Sequence, residues 1–358
     1  MIEAIADRGF AAAAAAVAAA RIPGAVLGIV TADGRRATRV AGLAQREPAP
    51  ETLTIDHWFD LASVSKVIAT TTMILRLADA GRLDLDRPLT DAIPDLRQYD
   101  VAHAAERRLT FRDCLAHRTH LPAVEPIYTY GGDSDRLRAF ILQREWRAGP
   151  PVYSDINFLL LGIAIERLTG GPLDAVPPDL ARGPGLSWGP PPGPAVATEH
   201  CRWRGRVLKG EVHDENCFAL GGRTGHAGLF GTVAGVLDFA AGLLDGSGAS
   251  PAMLAAIRTP VAGDRSCGWE LRHPGWSGGD ACAPGTIGHT GFTGTGLWID
   301  FARGLAWTLL TNRVHPSRHF DSGIVALRAA TGNSIVAGFD SAGLSVLIGA
   351  TAGSTPTA

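Results

Sequence analysis

Residues 59–89 of this 358-residue chain read FDLASVSKVIATTTMILRLADAGRLDLDRPL. Apolar side chains recur at helical spacing after Ser63, and Gly81 is a typical stop signal, so the pattern predicts a helix between these residues. The stretch begins with Ser63-Val64-Ser65-Lys66, in which a serine and a lysine are three residues apart. With 15 Ser and 2 Lys in the chain, chance would produce about 0.08 such pairs, so the pair is informative.

The spacing of this pair has a chemical meaning on a helix. Residues three apart share a face, which would place the Ser63 hydroxyl and the Lys66 amine within reach of each other. The helix N-terminus offers unpaired N–H groups and a positive dipole, which favour an oxyanion forming beside Ser63. A hydroxyl becomes a good nucleophile when a neighbour takes its proton, and a partly desolvated lysine can do so. The motif therefore points to nucleophilic catalysis.

Lysine is rare in this chain, since 31 of the 33 basic residues are Arg and the two lysines are Lys66 and Lys209. Arg cannot lose its proton in a protein, whereas Lys can, so a lysine retained at position 66 favours a chemical role. The alternative is a solvated lysine on an amphipathic helix. We expect Lys209 to be a surface turn residue.

Patterns outside this stretch predict an α+β fold. They indicate helices at 4–20, 109–117, 136–146, 156–170, 232–244 and 322–330, strands at 24–34, 37–44, 295–301 and 304–312, and an irregular loop over 172–194. The first two strands read as a hairpin. Strands at both ends with helices between them predict a sheet domain, residues 1–60 and 205–358, and an inserted helical domain, residues 61–204.

Composition narrows the class of partner. The net charge is −2, and no long run of basic residues suggests nucleic acid or an acidic membrane as a partner, so we expect a small molecule. The acidic start of the chain lacks the pattern of a signal peptide, and no apolar run is long enough for a membrane span, which predicts a cytoplasmic protein. The five cysteines lack a C-x-x-C pair, so we expect reduced thiols.

Two further motifs complete a resemblance to a known family. Tyr153-Ser154-Asp155 opens a predicted helix, and His289-Thr290-Gly291 lies within IGHTGFTGTGLWID. Together with Ser63 and Lys66, this order of motifs resembles the serine β-lactamase and penicillin-binding protein superfamily, in its class C-like branch with the family VIII esterases and D-aminopeptidases. The resemblance covers most of the chain. It implies a β-lactamase/transpeptidase-like fold, an antiparallel sheet flanked by helices plus an all-helical domain, with the site in the cleft between them.

The resemblance also implies a two-step acyl transfer. Ser63 would attack a carbonyl, the backbone N–H groups of Ser63 and Phe292 would form the oxyanion hole, and water would hydrolyse the acyl-enzyme. Lys66 and Tyr153 would share the proton transfers, with Tyr153 taking the proton from Ser63. The substrate-binding residues would be Asp155, His289, Thr290, Gly291 and Phe292.

The chain departs from the family pattern at two positions. Asp155 stands where Asn is usual, and its carboxylate would favour the ammonium form of Lys66, which shifts the role of base toward Tyr153. Asp155 could equally be a helix N-cap, or both; an alternative register, Ser154-Asp155-Ile156, lacks the final Asn of a class A box. His289 replaces a permanent cation, so a substrate carboxylate would be held less firmly at neutral pH.

Other candidate residues are weaker. His226 lies in a Gly-rich segment and could line the cleft, or it could be structural. His117 and His120 form an H-x-x-H without a third ligand, so we expect no metal, and the glycines of GFTGTG do not have the spacing of a dinucleotide site, so we expect no cofactor.

The leading hypothesis is a serine hydrolase that cleaves a small-molecule ester, amide or peptide, with at most weak β-lactam turnover. One alternative is a penicillin-binding-like sensor or pseudoenzyme without turnover, which Asp155 and His289 would explain as signs of lost chemistry. Another is an acyltransferase, because only the acceptor differs. The sequence does not indicate the oligomeric state.

Overall fold

The computed structural model describes residues 1–175 and 184–344. Its α-helices are α1 (Ile2–Ala18), α2 (Thr72–Asp79), α3 (Phe111–Leu115), α4 (Ser134–Gln143), α5 (Asp155–Thr169), α6 (Glu215–Ala219), α7 (Val233–Leu244), α8 (Pro251–Arg258) and α9 (Ile324–Ser341). A π-helical turn, Lys66–Thr71, precedes α2. The strands are β1 (Gly24–Thr31), β2 (Arg36–Gln45), β3 (Glu51–Thr52), β4 (Phe59–Asp60), β5 (Leu186–Trp188), β6 (Ala197–Cys201), β7 (Arg206–Lys209), β8 (Leu229–Gly231), β9 (Glu270–Leu271), β10 (Ile287–Thr290), β11 (Gly296–Asp300) and β12 (Leu305–Thr311).

The main sheet of the described part joins the two ends of the chain. Its seven strands run in the order β3-β2-β1-β12-β11-β10-β9, and the neighbouring strands pair antiparallel. The predicted hairpin is present as β1 and β2, which pair in register from Gly24 opposite Gly42. β1 meets β12 directly, so the N-terminal and C-terminal segments lie side by side at the centre of the sheet.

Helices cover both faces of this sheet. β1 is buried along its whole length, because alternate side chains enter two separate cores. Leu27 and Ile29 pack in the core under α1 and α9, whereas Val26 and Val30 face the core that includes α7. Burial on both faces explains why β1 is a continuous apolar run rather than an alternating one.

A second sheet of three strands positions the predicted nucleophile. β4 pairs with β8, which also pairs with β5. The chain leaves β4 at Asp60 and reaches Ser63 three residues later. The π-helical turn and α2 then continue into the helical region, where they pack against α5. Ser63 therefore lies at the junction between the sheets and the helices.

The predicted fold class is confirmed, with differences in individual elements. α9 extends to Ser341, beyond the predicted end at 330, because apolar residues such as Ile335 and Phe339 continue its buried face. The loop predicted over 172–194 contains β5, and its residues 176–183 lie outside the described part. β5 and β6 also lie within the predicted helical domain 61–204, and the two-domain division stays a prediction. Strands of two to five residues carry too little periodic pattern to be found in a sequence.

The described part shows two further features that bear on the sequence expectations. None of its helices has both the length and the apolar character that crossing a bilayer requires. All five cysteines are buried free thiols.

Candidate active site

The Ser63 segment is held in a constrained backbone conformation. Ala62 has a φ of 48°, which is unusual for a residue with a side chain and is often found at functional sites. The buried Asp60 carboxylate accepts the Ala62 N–H at 2.8 Å and the His213 N–H at 2.6 Å, which fixes the turn that leads to Ser63. Helical backbone begins at Val64.

Lys66 lies fully buried beside Ser63, as the three-residue spacing predicts. Its Nζ donates to Ser63 Oγ at 2.9 Å and to the His226 carbonyl at 3.1 Å, and it lies 2.8 Å from Asp155 Oδ1. Two N–H groups of the ammonium thus have hydrogen-bond acceptors, and the Asp155 carboxylate is its ion-pair partner. Burial lowers the pKa of Lys66, but the adjacent Asp155 and Tyr153 outweigh it and hold the pKa above its ordinary value. Lys66 is therefore a cation that donates to Ser63.

Asp155 is the ion-pair partner of Lys66 rather than a helix cap. The N-cap position of α5 belongs to Ser154, and Asp155 is the first helical residue, so of the two alternatives for Asp155 the N-cap role is wrong. The alternative register is disfavoured as well, because Ser154 is fully buried and its hydroxyl donates to the Pro122 carbonyl at 2.6 Å.

Replacing Asp155 with Asn should move the alkaline limb of the pH–rate profile to lower pH by about 1–3 units. The variant keeps the shape of the side chain but removes the charge that holds the Lys66 pKa above its ordinary value. Burial then favours the neutral amine, so Lys66 loses its proton earlier as the pH rises. Steady-state rates between pH 6 and 11 measure the shift. An alkaline limb at the same pH in the native protein and in Asp155→Asn would contradict the ion pair assigned to Lys66 and Asp155.

Tyr153 stands at the centre of a group of rings and cations. Its ring centroid is 4.3 Å from that of His117 and 5.9 Å from that of His289. Lys66 Nζ lies 5.2 Å from the same centroid and the Arg265 guanidinium carbon lies 5.5 Å from it. Both cations therefore lie within cation–π range of the tyrosine ring.

His289 and His117 are neutral in this setting. Burial lowers the pKa of each ring well below its ordinary value, and Lys66 and Arg265 lower it further. His289 Nδ1 donates to the Thr290 carbonyl at 3.0 Å, which leaves Nε2 as a buried acceptor without a partner among the described residues. His117 Nδ1 accepts the Ser154 N–H at 3.0 Å. His289 therefore offers no positive charge to a substrate carboxylate.

The same two histidines should make folding stability depend on pH below about 6.5. Their folded-state pKa values are depressed, so the unfolded chain binds protons that the folded chain excludes. The free energy of unfolding should fall as the pH drops below 6.5, by up to about 1.4 kcal/mol per pH unit for each histidine. Urea unfolding at several pH values measures the slope. His289→Gln should make this slope shallower, whereas His103→Gln should leave the slope unchanged, because the His103 ring is 86% exposed.

Two backbone N–H groups near Ser63 are free to bind an oxyanion. Neither the Ser63 nor the Phe292 N–H donates to any acceptor in the described part. The loop carrying Phe292 is bonded to the nucleophile segment, because Thr293 Oγ1 donates to the Asp60 carbonyl at 2.7 Å and Thr295 Oγ1 donates to the Leu61 carbonyl at 2.9 Å. These bonds hold the two candidate donors on neighbouring segments.

Gly291 allows this close approach. A Cβ at position 291 would lie 2.4 Å from the Leu61 carbonyl oxygen and 2.2 Å from Thr295 Oγ1. Phe292 follows with 48% of its surface exposed, so the loop leads outward to solvent. Of the residues in the third motif, Gly291 therefore has a clear steric role.

His226 takes part through its carbonyl, which accepts from Lys66, while its side chain is almost fully buried. Its Nε2 lies 2.9 Å from Asp214 Oδ1, and its Nδ1 lies 2.8 Å from Thr224 Oγ1. Burial raises the pKa of Asp214, but the charge and hydrogen bond of His226 reverse this effect and leave it below its ordinary value. His226 thus contacts Lys66 through its carbonyl, while Asp214 and Thr224 hold its side chain in place.

Two groups of three side chains in the described part bring ligand-type atoms within 4.8 Å of one another. The first, Asp155, Asp214 and His226, lies next to the Lys66 ammonium, which would repel a metal ion. The second, Asp264, Glu270 and His273, is joined internally by His273 Nε2, 2.9 Å from Glu270 and 3.3 Å from Asp264. Neither group has a feature that identifies a bound ion.

The sequence did not indicate every residue of the site. Arg265 and Asp214 approach it from segments that are distant along the chain, and no local pattern marks them. The only signal for Asp214 is its position before a short helix, where its carboxylate caps the Cys217 N–H. Lys209, by contrast, is the last residue of β7 rather than a turn residue, and it forms an ion pair with Glu51.

A helix-flanked antiparallel sheet with a serine in contact with a buried lysine is typical of a class of serine hydrolases. The family model described as Beta-lactamase matches residues 10–331, and the chain belongs to this family. It is 30% identical to the N-acetylmuramyl-L-alanine amidase of Bacillus subtilis (strain 168), over 83% of this chain and 78% of that protein.

Solved structures show the same fold. A β-lactamase from Sulfitobacter sp. EE-36 superposes with a TM-score of 0.73 at 21% identity, covering 96% of this chain and 99% of that one. A class C β-lactamase from Rhodobacter sphaeroides gives a TM-score of 0.68 at 21% identity, covering 92% and 99%. The predicted superfamily is confirmed.

Proposed function

We propose that this protein hydrolyses an ester or amide of a small molecule through an acyl-enzyme on Ser63. The observation that carries the proposal is the 2.9 Å contact between Ser63 Oγ and a buried lysine that also donates to the His226 carbonyl and forms an ion pair with Asp155. An ammonium in this position cannot take the proton of Ser63 but can stabilise the alkoxide that forms. Tyr153, between Lys66 and Arg265, is then the proposed base.

The first step forms one bond and breaks another. Ser63 Oγ adds to the substrate carbonyl carbon while its proton passes to Tyr153, and the carbonyl oxygen gains negative charge facing the N–H groups of Ser63 and Phe292. Collapse of this intermediate expels the alcohol or amine, which takes the proton from Tyr153. In the second step water adds to the acyl-enzyme by the same route and releases the acid. No cofactor takes part in this scheme.

Two observations guide the choice of substrate class. The identity to a relative named as an amidase supports testing amides, including one joined to an N-acetylmuramyl group. Burial and neighbouring cations keep His289 neutral, so the site lacks the charge at that position to hold a β-lactam carboxylate. We therefore propose at most weak β-lactam turnover, and a cytoplasmic location remains part of the proposal.

Intact mass spectrometry after exposure to a mixed panel of esters, amides and a β-lactam tests the proposal. We expect a transient acyl adduct on Ser63 with release of the acid, and no adduct in Ser63→Ala. An adduct that persists would identify a sensor, and transfer to an added alcohol or amine would identify an acyltransferase. Equal hydrolysis by the native protein and Ser63→Ala would overturn the proposal.

A further inference from the structure

Arg328 is a buried cation beneath the loop that carries Phe292. It projects from α9, and only 6% of its surface is exposed. Its Nη2 donates to the Gly291 carbonyl at 2.8 Å and to the Thr295 carbonyl at 2.7 Å. In the described part no carboxylate lies within ion-pair distance of it. Burying an arginine without an acidic partner costs free energy, so a residue at this position is expected to have a functional role.

The two carbonyls belong to the turn between β10 and β11. Within this turn the Gly291 N–H donates to the Thr295 carbonyl at 2.8 Å, and the Gly294 N–H donates to the Gly291 carbonyl at 3.1 Å. Backbone hydrogen bonds within the turn therefore close it without any contribution from Arg328. Arg328 adds a charged donor to each of the two carbonyls at its base.

The geometry of the peptide bond links Arg328 to the oxyanion hole. The Gly291 carbonyl and the Phe292 N–H are parts of one planar trans peptide, so they point in opposite directions. Because the carbonyl points at Arg328, the N–H points away from α9. The turn is bonded on its other side to Asp60 and Leu61, the residues that lead to Ser63. Arg328 thus fixes the direction of the Phe292 N–H.

The charge of Arg328 has a second effect on the same peptide. A charge-assisted hydrogen bond to a carbonyl is stronger than a neutral one, and it polarises the peptide so that its N–H becomes a better donor. Burial lowers the pKa of Arg328, and Arg313 lowers it slightly more, but a guanidinium stays charged at neutral pH. The polarisation is therefore present under ordinary conditions.

We propose that Arg328 is a positioning residue that orients and polarises the Gly291–Phe292 peptide, so that the Phe292 N–H can bind the oxyanion formed on a Ser63-bound substrate. This inference rests on the proposed function. It assigns to α9, which contributes no group to the reacting atoms, a direct influence on transition-state stabilisation.

A phenylboronic acid titration combined with ester kinetics tests the inference. The boronate adds to Ser63 Oγ and places an oxygen where the oxyanion forms, so its inhibition constant reports on the hole. In Arg328→Met we expect kcat/KM for p-nitrophenyl acetate to fall about 10- to 100-fold, with KM little changed. The boronate inhibition constant should rise by a similar factor. Arg328→Lys, which keeps the charge and can reach one carbonyl, should lose less in both measurements.

The matched control is Arg303→Met, which breaks ion pairs with Asp300 and Asp340 in the same region of the fold but touches neither Gly291 nor Thr295. Arg303→Met should lower the stability of the protein and leave kcat/KM and the boronate inhibition constant unchanged. Unchanged boronate affinity in a folded Arg328→Met or Arg328→Lys variant would overturn the inference, even if kcat fell. Failure of the proposed function would look different, because the native protein would then bind no boronate and Ser63→Ala would match its activity.

Discussion

Replacing Tyr153 with Phe is expected to lower kcat for ester hydrolysis by about 10²- to 10⁴-fold, the usual contribution of a positioned general base. The reason lies in Lys66. Asp155 and Tyr153 hold the pKa of Lys66 above its ordinary value, so its ammonium, which donates to Ser63 and the His226 carbonyl, has no lone pair for the proton of Ser63. The base must then be another group, and the hydroxyl of Tyr153 is the candidate beside it.

The variant removes little apart from that hydroxyl. A phenylalanine ring keeps the packing against His117 and His289, so the fold should be preserved. Tyr130→Phe is the matched control, because it removes a hydroxyl that donates to Glu125 outside the site. Single-turnover acylation and the steady-state rate should both fall in Tyr153→Phe and stay the same in Tyr130→Phe. Activity within about threefold of native in Tyr153→Phe would remove the tyrosine from the mechanism.

Replacing Lys66 with Arg should lower kcat/KM by about 10²- to 10³-fold although the positive charge is retained. The ammonium occupies a fully buried slot and donates to Ser63, to the His226 carbonyl and toward Asp155. A guanidinium is larger and planar, so it cannot reproduce these two hydrogen bonds and the ion pair without moving its neighbours. The loss expected on this ground is comparable with removal of an oxyanion donor.

The second lysine of the chain supplies the matched control for this change. Lys209→Arg makes the same chemical replacement at a partly exposed ion pair with Glu51. It should leave the acylation rate and stability nearly unchanged. Acylation with a fluorophosphonate probe, followed over time, compares the two variants directly. Near-native acylation in Lys66→Arg would show that Lys66 serves only as a cation and that the geometry of its three contacts is unimportant.

The motifs of this chain were readable in the sequence because each lies within a few residues. Ser63 and Lys66 are one helical turn apart, and the 2.9 Å contact between them follows from that spacing. The hairpin of β1 and β2 was predictable for the same reason, since a turn signal separates two adjacent apolar segments. The effect of Asp155 on Lys66 was also foreseen, because a carboxylate in the second motif would stabilise a nearby ammonium.

Other parts of the site depend on contacts between segments that are far apart. The N-cap role considered for Asp155 failed because the helix begins one residue earlier than that role requires, and only the ion pair with Lys66 shows where the carboxylate points. Arg265 and Tyr153 are 112 residues apart in the chain, and no sequence pattern near either residue predicts their contact. Such pairings are set by packing of whole elements, which a local pattern does not encode.

The sequence by itself therefore determined the family and the fold class, and it indicated the contact between Ser63 and Lys66, because these depend on spacings within single elements. The tertiary structure decided the protonation states and the supporting contacts. Lys66 is charged and His289 is neutral because of which groups surround them after folding, and Arg328 lies under the Phe292 loop because α9 packs against the sheet. Electrostatic effects act through space, so they exist only once distant segments have met.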